Sequence, residues 1–229
     1  MTKRADDRVT TDPTDHKNIV VGDERAELVV RSSETVHRGM VWDVRRDEVE
    51  LGDGQTVTRE IVVHTGAVGV LPLDDEGRVL LLRQYRHPVS SYLWEPPAGL
   101  LDFPGEDAVT AAKRELAEEA DLHADQWHVL VDYYNSPGGS TEAFRCFLAR
   151  GLTEVPLEAR HQREHEERAM VPHWVDLDEA CALVLAGRLH NPHAVTGILA
   201  ARAARDGGWA ALRPADAPWP ERSPGRLPR

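Results

Sequence analysis

The sequence predicts an α+β fold, with a mixed sheet, helices packed against it and a small antiparallel β unit in front. Strand-like runs and helical patterns interleave along the chain, and several of the strands are adjacent in sequence. Apolar content rises from residue 61, after a stretch of short strands too thin for a core of its own. With 229 residues, 41% of them apolar, the chain is long enough to bury one large core with a smaller appendage. It has no internal repeats.

Residues 1–18 are polar and turn-rich and are expected to be disordered. Residues 19–60 read as an N-terminal β domain. "AELVVRS" and "MVWDVRRDEVEL" are β-like, and Asp53-Gly54 between "VEL" and "TVT" is a hairpin signal. Residues 61–212 form the main domain. It opens with "IVVHTGAVGVLPL" and "RVLLLRQY", expected as two strong strands separated by the turn "DDEG". A helix at 107–120 follows, then the strands "WHVLVDYY" and "EAFRCFLAR", a charged loop, and the short strand "VPHWVDL". Asp176 and Glu179 have capping-box spacing before a helix that Gly187 stops, and Asn191-Pro192 opens a last helix to about Arg205. Residues 213–229, rich in proline, read as a tail or extended arm in which Trp219 is the residue able to dock.

Charge excludes one class of partner. The chain has 27 basic and 39 acidic residues, a net charge of −12, which gains nothing from the phosphate field of a nucleic acid. A small anionic substrate is compatible only if a local cation or arginine offsets the field. Cys146 and Cys181 sit in apolar settings and read as buried free thiols. With no apolar leader and no apolar run of about 18 residues, a cytoplasmic protein without a membrane span is expected.

The helix at 107–120 poses the chemical question. On a helical wheel Ala108, Val109, Ala112 and Leu116 make one face, and Glu115, Glu118 and Glu119 press against its small-residue side rather than opposite it. Like charges at i,i+3 and i,i+4 repel by a few tenths of a kcal/mol in water and by more when partly buried. The cluster is either a solvated charge run or a seat for something cationic. Three carboxylates within one turn offer the hard oxygens that Mg²⁺ takes together with substrate phosphates and water. Gly99, in "PPAG" ahead of this helix, permits a tight turn.

Gly99, Glu106 and the run Arg114-Glu115-Leu116-Ala117-Glu118-Glu119-Ala120-Asp121-Leu122 resemble the Nudix box, G-x5-E-x7-R-E-U-x-E-E-x-G-U, in which U is bulky and apolar. Two departures stand out: one extra residue between Gly99 and Glu106, and Asp121 in place of the final glycine. Neither removes a ligand. "TREIVVHTGAVGVLPLD", "LLLRQYRHPV", "LWEPPAGLLD" and "SPGGSTE" are similar to the ADP-ribose pyrophosphatase branch of that family, over roughly residues 40–200.

The resemblance implies a Nudix-type α/β/α sandwich with a mixed sheet, and hydrolysis of the diphosphate of ADP-ribose to AMP and ribose 5-phosphate with Mg²⁺ or Mn²⁺. It implies a homodimer whose N-terminal β domain swaps across to the partner's site. By position, Glu115 and Glu119 become the main metal ligands, assisted by Glu118 and the carbonyl of Ala98, while Glu106 and Arg114 support the box. Gly99, Leu100, Pro137, Arg59 and Arg86 fall near substrate. The two arginines are also explained as strand-end ion pairs, and Pro137 as part of a generic turn. Trp42 is a candidate for stacking on adenine or a core residue. The base is expected on "REHEERAM", with Glu167 favoured by its distance to the next strand, Glu166 second and Glu164 weaker. The competing readings are another nucleoside-diphosphate derivative as substrate, or a sensor that binds ADP-ribose without cutting it.

Overall fold

The computed structural model describes residues 21–163 and 169–222. The stretch at 1–18 therefore lies outside the described residues. Three strands form the N-terminal sheet in the order β1 (Val29–Arg38), β2 (Asp43–Glu50), β3 (Thr56–Val63), each antiparallel to its neighbour. The expected Asp53-Gly54 turn joins β2 to β3: Gly54 has φ +85°, and the N–H of Leu51 reaches the carbonyl of Gln55 at 2.6 Å. All ten residues of β1 are exposed.

The central sheet has five strands in the order β11 (Arg213–Pro214), β8 (Leu122–Tyr134), β9 (Ala143–Glu154), β4 (Ala67–Pro72), β7 (Ala98–Leu100). The β4–β9 pair is parallel and the others are antiparallel, so the sheet is mixed. A second antiparallel sheet runs β10 (Val171–Asp176), β5 (Arg78–Arg86), β6 (Ser91–Glu95).

Side chains on β4 alternate between two cores, as a strand buried on both faces must. Ala67 and Leu71 join Phe144, Leu148, Leu177 and Ile198 on one side. Val68 and Val70 join Phe147, Ala112 and Leu116 on the other. Helix α1 (Ala108–Ala120) covers the second face, while α2 (Leu177–Leu185) and α3 (Pro192–Asp206) cover the first, giving an α/β/α sandwich. Asp107, Asp176 and Asn191 cap the three helices with their side-chain oxygens. Gly187, at φ +65°, closes α2: its N–H meets the carbonyl of Val184 and that of Arg188 meets Leu183.

One expected strand is divided. "IVVHTGAVGVLPL" does not run straight, because β3 ends at Val63 and β4 begins at Ala67 in a different sheet. Gly66, at φ +86°, makes the corner, and its N–H is held 3.0 Å from Nδ1 of His64. The end of β3 is instead tied to the loop after β8, with the N–H of Val62 on the carbonyl of Gly139 and that of His64 on Oγ1 of Thr141.

Residues 213–222 lie along the domain as an arm. Trp219 packs with Ala215 and Ala217 on the α1-side core, and Arg145, buried in β9, donates to the carbonyls of Ala217 and Pro218. Among the described residues no helix is long and apolar enough to cross a membrane, and Cys146 and Cys181 are buried and unbridged.

Candidate active site

The site is built where β7 meets the last two turns of α1. Arg114 organises it. Nε and Nη2 each lie 3.1 Å from an oxygen of Glu106, while Nη1 donates to Glu115 at 2.6 Å and to Glu118 at 3.1 Å. Its guanidinium also sits 4.7 Å above the ring of Phe103. One cation thus answers three carboxylates, and negative charge is in excess. Burial works against the charge on Arg114, but the hydrogen bonds and charges of Glu106 and Glu115 outweigh it and raise its pKa.

Glu115 is the most enclosed of the three glutamates that Arg114 binds, its side chain 12% exposed against 13% for Glu106 and 33% for Glu118. Burial raises its pKa. Arg114 pulls the other way, and the charges of Glu118 and Asp102 add to the rise. Gly99 makes this enclosure possible: a Cβ there would stand 1.9 Å from Oε1 of Glu115. Glu119 reaches β7 instead, where Oε2 accepts the N–H of Ala98 at 2.9 Å.

The donor set suits a hard divalent cation: carboxylates from one helical turn, half-buried, with charge left over after Arg114. Among the described residues no three acidic or histidine groups converge as a ready metal cage. Glu115 and Glu118 are turned onto Arg114, and Glu119 onto the Ala98 N–H, so taking up an ion exchanges these hydrogen bonds for metal bonds.

The other expected site residues divide. Leu100 ends β7, with Ala98 and Gly99 before it, and pairs with Ala67. Arg86 forks onto buried Glu95, Nε at 2.8 Å and Nη2 at 2.6 Å, and so fixes the chain entering Pro96–Ala98. Arg59 lies on β3 in the N-terminal sheet, opposite Asp47, and donates to the carbonyl of Thr58. Pro137 lines a cavity of about 530 Å³ with Tyr133, Tyr134, Arg213 and Glu221, and the box glutamates do not line that cavity. Trp42 is half exposed and stacks on His64 at 5.8 Å. Glu164, Glu166 and Glu167 lie outside the described residues.

Two contributors were missed in the sequence. Glu95 carries no periodic signal. Arg163 sits in the charged stretch "EARHQREHEERAM", where nothing distinguishes it, yet its Nε donates to the carbonyl of Glu118 at 3.1 Å and its Nη2 to Asp121 at 2.6 Å.

A family model described as the NUDIX domain matches residues 63–196, more than half of the chain and spanning every box residue. The chain belongs to the Nudix family. It is 45% identical to an ADP-ribose pyrophosphatase of Mycobacterium tuberculosis (strain ATCC 25618 / H37Rv) over 191 residues, covering 83% of this chain and 90% of that one. It is 37% identical to an ADP-ribose pyrophosphatase of Bacillus subtilis (strain 168) over 160 residues, 70% and 84% of the two chains. Among solved structures, the crystal structure of an ADP compounds hydrolase superposes with a TM-score of 0.69, covering 82% of this chain and 98% of that one. At 22% identity that likeness speaks for the Nudix fold, and the mixed sheet between helices agrees with it.

Proposed function

We propose that the protein hydrolyses the diphosphate bond of ADP-ribose, adding one water to give AMP and ribose 5-phosphate. One observation carries the reading: Arg114 gathers Glu106, Glu115 and Glu118 beside Gly99 and β7, in a chain 45% identical to an ADP-ribose pyrophosphatase over most of its length.

Glu115, Glu118, Glu119 and the carbonyl of Ala98 would hold Mg²⁺ or Mn²⁺, which when bound neutralises diphosphate oxygens and lowers the pKa of the attacking water. Arg114, itself held by Glu106, keeps Glu115 and Glu118 gathered beside β7, where the ion would meet them. Gly99 leaves the room in which the Glu115 carboxylate sits against β7. Glu167, or Glu166 beside it, takes the proton of the water as general base. Arg59, Arg86, Leu100 and Pro137 are the proposed substrate contacts. Arg59 would act across a homodimer, in which the exposed N-terminal sheet reaches the partner's site. The reaction is assigned to the cytoplasm.

Product analysis with Mg²⁺ against ADP-ribose, ADP-glucose, GDP-mannose, NADH, a diadenosine polyphosphate and 8-oxo-dGTP tests this. AMP should appear fastest from ADP-ribose. Turnover confined to another member of the panel would retire the substrate and keep the hydrolase. Binding of ADP-ribose without cleavage would favour a sensor.

A further inference from the structure

The end of α1 carries an electrostatic problem of its own. Glu118 and Glu119 lie in the last turn, where the helix dipole already presents partial negative charge, and that turn has no basic residue. The neighbouring Asp121 adds a third carboxylate. It also holds a left-handed backbone, φ 54° and ψ 37°, which glycine adopts without strain. One of its oxygens, Oδ1, is buried and has no hydrogen-bond partner among the described residues. On local grounds glycine is the better residue here.

Distant contacts explain the aspartate. The second oxygen, Oδ2, accepts from Nη2 of Arg163 at 2.6 Å and stands 4.0 Å from Nη1 of Arg160. The same Arg163 places Nε on the carbonyl of Glu118, an orphan acceptor of the helix end. The backbone carbonyl of Asp121 takes the N–H of Val155 at 2.9 Å. The stretch after β9 is therefore fastened to the end of α1 at a side chain and at two backbone carbonyls. It delivers the cation that the last turn lacks.

We infer that Asp121 and Arg163 form a positioning clamp, which holds the last turn of α1 in register and so sets the carboxylates of Glu118 and Glu119 for a divalent cation. The inference deepens the proposed reaction and rests on that reading for its consequence in turnover. Its first consequence, the affinity of the helix for metal, does not need the substrate to be ADP-ribose. The clamp touches neither substrate nor ion. It acts through backbone position, as residues behind metal ligands do, and losing such a partner weakens metal binding by roughly tenfold or more.

The test measures Mn²⁺ binding to the full-length chain by electron paramagnetic resonance, without nucleotide, for wild type, Asp121→Gly, Arg163→Ala and the double variant. Asp121→Gly removes the strained φ and the orphaned oxygen along with the clamp, so its melting temperature should stay close to wild type while the Mn²⁺ dissociation constant rises about tenfold. Arg163→Ala should match it, and the double variant should be no weaker than either single one, because both break the same link. Unchanged Mn²⁺ affinity in either single variant would overturn the clamp. So would a loss of affinity that merely tracks a falling melting temperature, which makes the pair structural. A wild type that binds Mn²⁺ without cleaving ADP-ribose would retire the proposed substrate and still leave the clamp decided by the same titration.

Discussion

At Gly99 an added methyl group would lie 1.9 Å from Oε1 of Glu115 and 2.7 Å from its Cγ. These atoms belong to the far part of a flexible side chain, so the fold can yield by swinging the glutamate away. Gly99→Ala should therefore keep its melting temperature and lose turnover by tenfold or more, about 1.4 kcal/mol of transition-state stabilisation. Thermal melts beside steady-state kinetics separate the two effects. Glu119→Gln keeps an oxygen for the Ala98 N–H but gives up the charge, and its kcat should fall by orders of magnitude with circular dichroism unchanged. Beyond the box, Tyr133 and His193 make a half-buried pair. Burial raises the pKa of Tyr133, so its hydroxyl stays protonated, and it lies 2.6 Å from Nδ1 of a neutral His193. Burial first, and then the charges of Arg86 and His64, depress the pKa of His193 from 6.5 to about 3. The unfolded chain then takes up a proton near pH 6.5 that the folded one refuses until about pH 3. The contribution to stability is complete above that window and is lost as pH falls through it. Urea unfolding of wild type should weaken by up to about 1.4 kcal/mol per pH unit there. His193→Gln should flatten the slope, whatever its absolute stability. The box glutamates were legible in the sequence because helical spacing alone puts them on one side. Arg163 was not, because its meaning depends on a carbonyl 45 residues earlier.

Elements were legible where local chemistry decides them. Asp107 accepts from the N–H and the hydroxyl of Thr110, each at 2.9 Å, and starts the helix that carries the site. Asp107→Ala should lower stability by about 1 kcal/mol in urea titration, with a smaller effect on turnover because the cap is at the far end from Glu119. The caps of α2 and α3 and the Asp53-Gly54 turn follow the same logic, since each is settled within a few residues. The corner at His64–Gly66 could not be read this way. The run "IVVHTGAVGV" suits a strand throughout, and the break is fixed by Thr141, which accepts the N–H of His64 across 77 residues of chain. A single apolar run can serve two sheets, and only tertiary contact says where it divides.

At the scale of the whole molecule, β1 and the connection from it to β2 leave Val29, Val30, Met40, Val41 and Trp42 more than 45% exposed. The homodimer proposed above would cover surface of this kind. Light scattering coupled to size exclusion should give twice the 25.5 kDa of the chain, and a monomer at micromolar concentration would remove that part of the reading. The opposite end of the chain has a different consequence. The strand at Arg213–Pro214 flanks β8 at one edge of the central sheet, and the segment after it supplies the carbonyls of Ala217 and Pro218 to Arg145. It is also the last of the described strands to leave the ribosome. Until it arrives, a nascent domain lacks the pairing of β8 at His128 and Val129 and the cover of residues 215–219, and among the described residues Arg145 has Asp132 alone for its hydrogen bonds. An open edge of this kind recruits other chains. A chain cut short before Arg213 should therefore collect in the insoluble fraction of a cell, while the full chain stays in the supernatant.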